Sequence, residues 1–437
     1  MKIYQLPDIP IEWEIKQVRH IFEIHNGSTP KSGNPEFWNG DIDWITPDDL
    51  GSNAGKLITS SRRKITQLGY KSCGVSLAPS GSIALSTRAP IGHIAITKMA
   101  ACVNQGCRIL VPKEGLKEYW YYSLISARAL LISLGQGTTF MELPRQNLAS
   151  VALPVPPFDE QKAIVRFLDY KTAQIDALIA KKQLLLDKIA EQRVTIINKA
   201  ITKGLDSSAA MKSSGTRWLG DIPKHWTPKK IKYMTKISRG KFSHRPRNDP
   251  RFYGGDYPFI QTGDVANARK FVSGYSQTLN DDGLRVSKEF PAGTLVMTIA
   301  ANIGDMAILN FKACFPDSIV GFVPYDDISL NYLFYMFIAM RQQLLTTAVL
   351  NTQLNLNIER IAGQIGPCPP AEEQIKIADY LDNITSKMEE QADYIHKAID
   401  KLKEYRLALI TNAVTGKIDV RDFCSTTINE QKEVARG

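Results

Sequence analysis

The chain has 437 residues, 43% of them hydrophobic, which is enough to bury the cores of about two to four domains. The formal net charge of +10 favours a polyanionic partner. Six cysteines without a C-x-x-C pair indicate a reducing compartment and argue against a disulfide framework. The opening residues lack the apolar segment of a signal peptide, and the most apolar run, 332–340, is too short to span a bilayer. We therefore expect a cytoplasmic protein without a membrane partner.

The chain contains one unit twice. Blocks of the first half recur in the second half at an almost constant offset, so that Trp13 is matched by Trp226. The matched blocks are the openings around these two tryptophans, DIDWITPDDL (41–50) with DYPFIQTGDV (256–265), PSGSIALSTRAPIG (79–92) with PAGTLVMTIAANIG (291–304), and PVPPFDEQ (154–161) with GPCPPAEEQ (366–374). A fixed offset over this many blocks indicates a tandem repeat rather than chance similarity.

Each copy begins with a globular part of mixed pattern. Short β-like runs bounded by Gly, Pro and Ser predict strands at 82–85, 94–97 and 108–111. Apolar stretches at 120–134 and 332–345 predict helices. The predicted fold class is α+β: two tandem, pseudo-repeated α/β domains, each followed by a long helix, with the two helices pairing as an antiparallel coiled coil. The predicted segments are domain 1 (1–157), helix 1 (158–205), a flexible linker (206–217), domain 2 (218–369), helix 2 (370–418) and a polar, poorly ordered tail (419–437).

The two predicted helices carry a heptad-like apolar stripe. Steps of three and four residues place its members on one face of each helix, as in helices that pack along their lengths. The predicted pairing residues are Leu168, Ile175, Leu178, Leu185, Ile189, Ile196, Leu381, Ile384, Met388, Ile395, Leu402 and Leu409. Polar residues interrupt each stripe where the other is apolar, so we expect the helices to pair with each other rather than with copies of themselves.

Motifs for catalysis are incomplete in this chain. The segment GSNAGKL (51–57) resembles a phosphate-binding loop, but the spacing of its glycines is too short and Leu57 replaces the magnesium-binding Ser or Thr. The tetrapeptide NPEF (34–37) is similar to the aminomethylating motif of adenine methyltransferases, but its second proline is missing. The six histidines include no H-x-x-x-H pair. We therefore predict no catalytic residues and no metal site.

Basic residues indicate a nucleic-acid interface. Between residues 227 and 248 eight lysines and arginines alternate with aromatic and small polar residues, and no acidic residue interrupts them. Such runs contact phosphates, while Arg, Asn and Ser side chains can recognise base edges. The candidates of this run are Arg239, Lys241, His244, Arg245 and Arg247, and those of the first copy are Ser28, Thr29, Lys31, Arg62, Arg63 and Arg88. The alternative explanation is a solvated basic face.

The ordered blocks resemble the specificity subunits of type I restriction-modification systems. They are DIP-x-x-W at 8 and 221, GSTPKSGNPEFW (27–38) with WITPDDL (44–50), STRAPIG (86–92), VNQG (103–106), and PP-x-x-EQ before both helices. The resemblance implies that each globular part is a target recognition domain for one half of a split DNA sequence, and that the helices set the spacer. It also implies that the loop 27–32 and the residues around Arg88 and Gln105 face double-stranded DNA.

The resemblance further implies partner subunits. Two modification (methyltransferase) subunits would dock on the helices, and restriction (translocase and nuclease) subunits would join them. S-adenosylmethionine, ATP and magnesium would bind those partners, with no cofactor in this chain. Two other classes stay open: a coiled-coil scaffold that does not bind DNA, and a methyltransferase with an unusual motif. Salt-dependent binding to duplex DNA would exclude the first, and binding of a methyl donor by the isolated chain would favour the second.

Overall fold

The computed structural model describes residues 9–53, 55–137, 141–244, 246–300, 303–346, 349–350, 354–355, 357–421 and 423. The chain forms two units, one made of Met1–Lys182 with His396–Gly437 and the other of Gln183–Ile395. The division falls inside both long helices, so each unit contains one α/β domain together with a part of each helix.

Unit 1 contains domain 1, whose apolar runs form strands as the sequence predicts. The strands are β1 Glu14–Gln17, β2 Phe22–Asn26, β3 Trp38–Ile45, β4 Leu57–Ile58, β5 Lys64–Ile65, β6 Ile83–Ser86, β7 Ile94–Thr97, β8 Ala101–Val103, β9 Cys107–Pro112 and β10 Ala152–Val155. The helices are α1 Val18–Ile21, α2 Pro47–Ser52, α3 Gln67–Lys71, α4 Lys117–Ser126, α5 Arg128–Ser133, α6 Arg145–Ser150 and the first long helix, α7 Phe158–Lys203. The main sheet runs in the order β2-β9-β6-β7-β4, and a smaller sheet in the order β5-β3-β8.

Domain 1 has its main core between the larger sheet and helix α4. Strand residues such as Ile83 and Leu110 and the helix residues Tyr119 and Trp120 are buried together. The Tyr119 hydroxyl donates to the carbonyl of Pro154 at 2.9 Å, so its burial leaves no unsatisfied donor. The predicted strands at 82–85, 94–97 and 108–111 are confirmed as β6, β7 and β9. The predicted helix at 120–134 is observed as α4 and α5, with a break at Ala127.

Unit 2 contains domain 2 and repeats this topology. Its strands are β11 Met211–Ser213, β12 Asp221–Pro223, β13 Thr227–Lys230, β14 Thr235–Arg239, β15 Tyr253–Phe259, β16 Phe271–Val272, β17 Gln277–Leu279, β18 Glu289–Phe290, β19 Leu295–Thr298, β20 Met306–Leu309, β21 Ala313–Cys314, β22 Ile319–Pro324, β23 Val349–Leu350, β24 Leu354–Asn355 and β25 Ile365–Cys368. The helices are α8 Thr262–Ala266, α9 Asp281–Arg285, α10 Leu330–Thr346, α11 Ile358–Gly363 and the second long helix, α12 Ala371–Val414. The main sheet order, β14-β22-β19-β20-β16, matches that of domain 1 strand by strand.

Two predicted segments are more ordered than the sequence suggests. Strand β11 lies inside the predicted flexible linker 206–217 and pairs antiparallel with β12, with Ser213 opposite Asp221. The start of the predicted tail also packs on the protein. Val420 is buried, and the ring of Phe423 lies 5.0 Å from that of Phe167. Residues 424–437 of the tail lie outside the described residues.

The long helices pair antiparallel within each unit. In unit 1 Arg406 donates to Asp176 at 2.8 Å, whereas Phe423, further along the chain, contacts the earlier residue Phe167. In unit 2 Arg193 lies 3.7 Å from Glu389, and a Cβ atom built on Gly204 would lie 3.3 Å from Glu373. In both units, residue numbers that rise along one segment are paired with residue numbers that fall along the other. The two helices are therefore antiparallel, as predicted.

The pairing face includes most of the predicted stripe. Leu168, Ile175, Leu381, Met388, Ile395 and Leu409 are buried, and Ile189, Ile196, Ile384 and Leu402 are half-buried. The apolar cores of the domains extend onto this face. The core of domain 1 includes Leu409 and Ile410 of α12, and that of domain 2 includes Ile197 and Ile201 of α7. The carboxyl end of α12 thus completes the core of domain 1, and the carboxyl end of α7 completes the core of domain 2.

Two predicted pairing residues do not belong to this face. Leu178 and Leu185 are 43% and 47% exposed, whereas Leu186 is 8% exposed and Ile179 packs against the core. Each of these two residues lies one position after the predicted member, which moves the pairing face by about 100° around the helix axis. The Tyr122 hydroxyl contacts Thr172 and the Tyr335 hydroxyl contacts Thr385, so each long helix also packs against its own domain.

A tryptophan joins each domain to both long helices. Trp226 donates its indole N–H to Glu373 at 3.0 Å, near the start of α12, and its ring lies against Gly204, just after the end of α7. Gly204 has φ +74°, a left-handed conformation that favours glycine after a helix. Trp13 repeats this arrangement: it donates to Glu160 at 3.0 Å, and Gly416 lies against its ring.

Candidate nucleic-acid interface

The candidate loops follow the first strand of the main sheet in each domain. In domain 1 the loop after β2 hydrogen bonds to the end of β8, with Ser28 N donating to Val103 O at 3.1 Å. In domain 2 Lys241 N donates to Phe315 O at 3.0 Å. A Cβ atom at Gly27 would lie 1.7 Å from the Asn104 carbonyl oxygen, so the close approach of the two backbones requires glycine.

In domain 1 the loop surrounds two tryptophans of β3. The Trp44 indole N–H donates to the Ser28 carbonyl at 2.9 Å, and that of Trp38 donates to the Lys31 carbonyl at 3.4 Å. The Arg63 guanidinium lies over the Trp38 ring at 3.7 Å from its centre. The structure therefore brings Ser28, Lys31 and Arg63 together, although Arg63 is more than thirty residues away in the sequence.

Thr29 and Gln105 form the second contact of this loop. The Thr29 hydroxyl donates to Gln105 Oε1. Gln105 is exposed, and the next residue, Gly106, accepts hydrogen bonds from the backbone N–H groups of Thr87 and Arg88. Three candidates of domain 1, Thr29, Gln105 and Arg88, thus lie on neighbouring segments.

Arg62 and Arg88 are both paired with acidic residues. Arg62 Nε donates at 2.9 Å to Asp49, which also caps helix α2 through Thr46. Burial acts to raise the pKa of Asp49, but hydrogen bonds from Thr46 and Arg62 outweigh it and leave the pKa below its ordinary value. Arg88 Nε donates at 3.0 Å to Glu142, and Arg108 lies 3.5 Å from the same carboxylate.

In domain 2 the basic run converges on one acidic residue. Arg239 Nε donates to the backbone carbonyl of Asp317 at 2.6 Å, and Arg247 forms an ion pair with the Asp317 carboxylate. Asp317 occupies the position that Gln105 has in domain 1, since Gln105 lies two residues after Val103 and Asp317 two residues after Phe315, the residues whose carbonyls contact the loops. Sequence reasoning missed this contact, because some seventy residues separate Asp317 from the arginines.

The remaining candidates of the run lie in the same loop. His244 Nε2 lies 3.3 Å from Asp249, and its ring lies 4.3 Å from that of Phe252. The carbonyl of Lys241 accepts from the Ser287 hydroxyl at 2.7 Å. Hydrogen bonds from Arg251 hold the pKa of Asp249 well below its usual range. Arg245 lies outside the described residues.

A cavity of about 550 Å³ opens beside this loop in domain 2. Phe242, Tyr253 and Phe259 supply its aromatic wall, and Arg247 also lines it. Gln261 and Gln277 are further lining residues, and Gln261 Nε2 donates to Gln277 Oε1 at 2.9 Å. The cavity therefore combines an apolar surface with oriented amide groups, a composition suited to a partly apolar ring system or base edge.

The described residues contain no cluster of three or more His, Cys, Asp or Glu side chains that could hold a metal ion. In the same part of the chain, none of the helices has the length and apolar character needed to cross a membrane.

The fold and these loops define a class of protein with two copies of one recognition-type α/β domain, each followed by a long helix. The family model for the type I restriction modification DNA specificity domain matches residues 10–187 and again residues 223–396. The chain belongs to this family, and the resemblance seen in its sequence motifs is confirmed.

Curated relatives agree with this assignment. The chain is 31% identical over 273 residues to the type I restriction enzyme MjaIX specificity subunit of Methanocaldococcus jannaschii, and this match covers 58% of each protein. It is 32% identical over 167 residues to the EcoR124I/EcoR124II specificity subunit of Escherichia coli, covering 36% of the chain and 40% of the relative. These matches therefore span less than two thirds of both relatives.

Solved structures share the fold over nearly the whole chain. A chain from a structural study of complex assembly and conformational transition of the type I R-M system matches with a TM-score of 0.71 at 16% identity, covering 94% of this chain and all of that one. The HsdS subunit from Thermoanaerobacter tengcongensis matches with a TM-score of 0.50 at 16% identity, covering 95% and 99%. At this identity the likeness concerns the fold alone.

Proposed function

We propose that the protein is the DNA specificity subunit of a type I restriction-modification complex. Each domain recognises one half of a split DNA sequence, and the long helices set the spacer between the halves. One observation carries the proposal: the two domains share the backbone of the loop cluster but carry different side chains there, such as Gln105 against Asp317 and Arg63 against Gln277. Two domains with the same loop backbone but different contact side chains can recognise two different half-sites.

Charge supports DNA as the partner. The net charge is +10, and exposed arginines such as Arg62, Arg88 and Arg247 lie at the loop clusters. Their acidic partners, Asp49, Glu142 and Asp317, fix the direction of the guanidinium groups without burying them. An arginine held in this way can still contact a phosphate or base edge, and loses less conformational entropy when it does.

We further propose that the chain itself is non-catalytic and that modification subunits, and restriction subunits where they occur, bind it. S-adenosylmethionine, ATP and magnesium then belong to those partners. Large apolar side chains exposed on the long helices support a docking surface for them, namely Leu178, Leu184, Leu185, Val194, Tyr394, Tyr405 and Leu407. Single exposed apolar residues are ordinary, but several on one helix, here four of these on α7 and three on α12, are typical of a protein interface.

The test is to co-express the chain with a modification subunit encoded beside it and to map methylated adenines in the host genome by single-molecule sequencing. We expect a split motif: two short blocks at a fixed separation, each with one methylated adenine, on opposite strands. Assembly of the complex without such a motif would contradict DNA recognition and favour a protein scaffold. Methylation by the isolated chain would contradict the proposal that catalysis belongs to a partner.

A further inference from the structure

The two domains hold different side chains at one structurally equivalent position beside the candidate interface. The register of the small sheets establishes the equivalence. Trp44 of β3 pairs with Cys102, and Phe259 of β15 pairs with Cys314, both in parallel. On the other side of the same strands, Trp44 N donates to Arg63 O at 3.2 Å, whereas Phe259 pairs with Gln277. Arg63 and Gln277 are therefore counterparts.

In domain 1 this position carries an arginine that is stacked on an aromatic ring. The Arg63 guanidinium lies 3.7 Å above the Trp38 ring and 5.5 Å from that of Trp44. A guanidinium stacked over an indole in this way can still offer its N–H groups to a ligand. Two parallel N–H donors match the O6 and N7 acceptors that guanine presents in the major groove.

In domain 2 the same position carries an amide at the wall of the 550 Å³ cavity. Gln277 Oε1 accepts from Gln261 Nε2 at 2.9 Å, which orients the Gln277 amide. An amide offers a donor and an acceptor side by side, the pair that matches N7 and N6 of adenine. Of the three aromatic residues that line the cavity, the half-buried Tyr253 can contact the thymine methyl group, which lies on the same edge of an A·T pair.

We propose that this equivalent position determines specificity in both domains: Arg63 recognises a G·C pair in one half-site, and Gln277 with the cavity recognises an A·T pair in the other. The inference rests on the proposed function, because it assigns base pairs to half-sites that the proposed function requires. It adds the residues responsible and the kind of base pair that each one selects.

The test compares substitutions at the two positions in the complete complex with the modification subunit. Gln277→Ala is expected to relax one A·T position of one half-site, and Arg63→Ala one G·C position of the other. Binding of each variant to duplexes carrying the wild-type motif is expected to weaken about 10- to 100-fold. Gln277→Arg is expected to shift the relaxed position towards G·C. Duplexes with uracil in place of thymine at that position test the methyl contact separately.

The outcomes separate the inference from the function on which it rests. A wild-type complex that assembles without producing a split methylated motif overturns both. A split motif that is unchanged by Gln277→Ala, or weakened equally in both half-sites, overturns the inference alone. The same holds if both substitutions affect one half-site. Both side chains are exposed, so the variants are expected to unfold at the wild-type temperature, and this measurement excludes a folding defect as the cause.

Discussion

The junctions between domains and helices are alike in the two halves, whereas the recognition loops differ. At each junction a buried glutamine, Gln161 or Gln374, ties the start of the long helix to its domain. Its amide oxygen accepts from the backbone N–H of Leu116 or Ser329, and its amide nitrogen donates to the carbonyl of Pro156 or Pro369. A Lys-Asp-Tyr-Thr network uses helix residues about two to three turns later. It is formed by Lys56, Asp169, Tyr122 and Thr172 and again by Lys270, Asp382, Tyr335 and Thr385. The loops share only their backbone contacts. The shared junction contacts therefore attach both domains to the long helices in the same way. The differing loops allow each domain to bind a different target.

The largest effect is expected at the junction tryptophans. Trp226→Ala removes a fully buried ring and its hydrogen bond to Glu373, and should lower the free energy of unfolding by about 3–5 kcal/mol. Trp13→Ala should have a similar effect on unit 1, because its contacts with Glu160 and Gly416 are equivalent. Urea unfolding followed by circular dichroism measures both.

Tyr233→Ala is the control for this pair, since that ring is 61% exposed and its loss should change stability by less than about 0.5 kcal/mol. If Trp226→Ala lowered the free energy of unfolding no more than Tyr233→Ala, the contacts of Trp226 would not stabilise the packing of the domain against the long helices. A large difference between the two tryptophan variants would show that the halves differ in framework as well as in loops.

A smaller effect is expected on the pairing face of the helices. Leu186→Ala should cost about 2 kcal/mol, because the side chain is 8% exposed, while Leu185→Ala should stay within about 0.5 kcal/mol. Alanine has a high helix propensity at both positions, so a difference in stability between the two variants reflects burial and not helix propensity. Equal losses from the two neighbours would contradict the pairing face. Binding of the modification subunit is the second measurement, and there Leu185→Ala should have the larger effect.

These helices also show how far the sequence can predict this protein. The repeat follows from blocks matched at one offset, the long helices follow from hydrophobic periodicity, and three strands of domain 1 follow from short runs bounded by Gly, Pro and Ser. The phase of the pairing face does not, because Leu184, Leu185 and Leu186 are all apolar and only the partner's position selects among them. The acidic partners of the arginines were missed for a related reason. Asp317 and Glu142 reach the interface through the fold, from positions distant in sequence.

The smallest effect is expected at the short helix α2 of domain 1, whose capping residue Asp49 also accepts a hydrogen bond from Arg62. Asp49 and its counterpart Asp264 both cap a short helix, but Asp49 in addition accepts from Arg62. Asp49→Asn should cost about 1 kcal/mol at neutral pH through the weakened cap. Because the pKa of Asp49 is lowered on folding, its stabilising effect is present above the ordinary pKa of 3.8 and is lost as the pH falls through the lower folded value.

The difference in unfolding midpoint between wild type and Asp49→Asn should therefore be constant from neutral pH down to about pH 5 and shrink below about pH 4. Arg62→Ala should shift the midpoint in the same direction but less, because the Thr46 hydrogen bonds to Asp49 persist without the arginine. Asp264→Asn supplies the matched measurement in a cap where Gln261 is the bonded partner. A difference that is independent of pH for Asp49→Asn would mean that the cap acts through geometry alone, and that the charge of Asp49 serves only to direct Arg62.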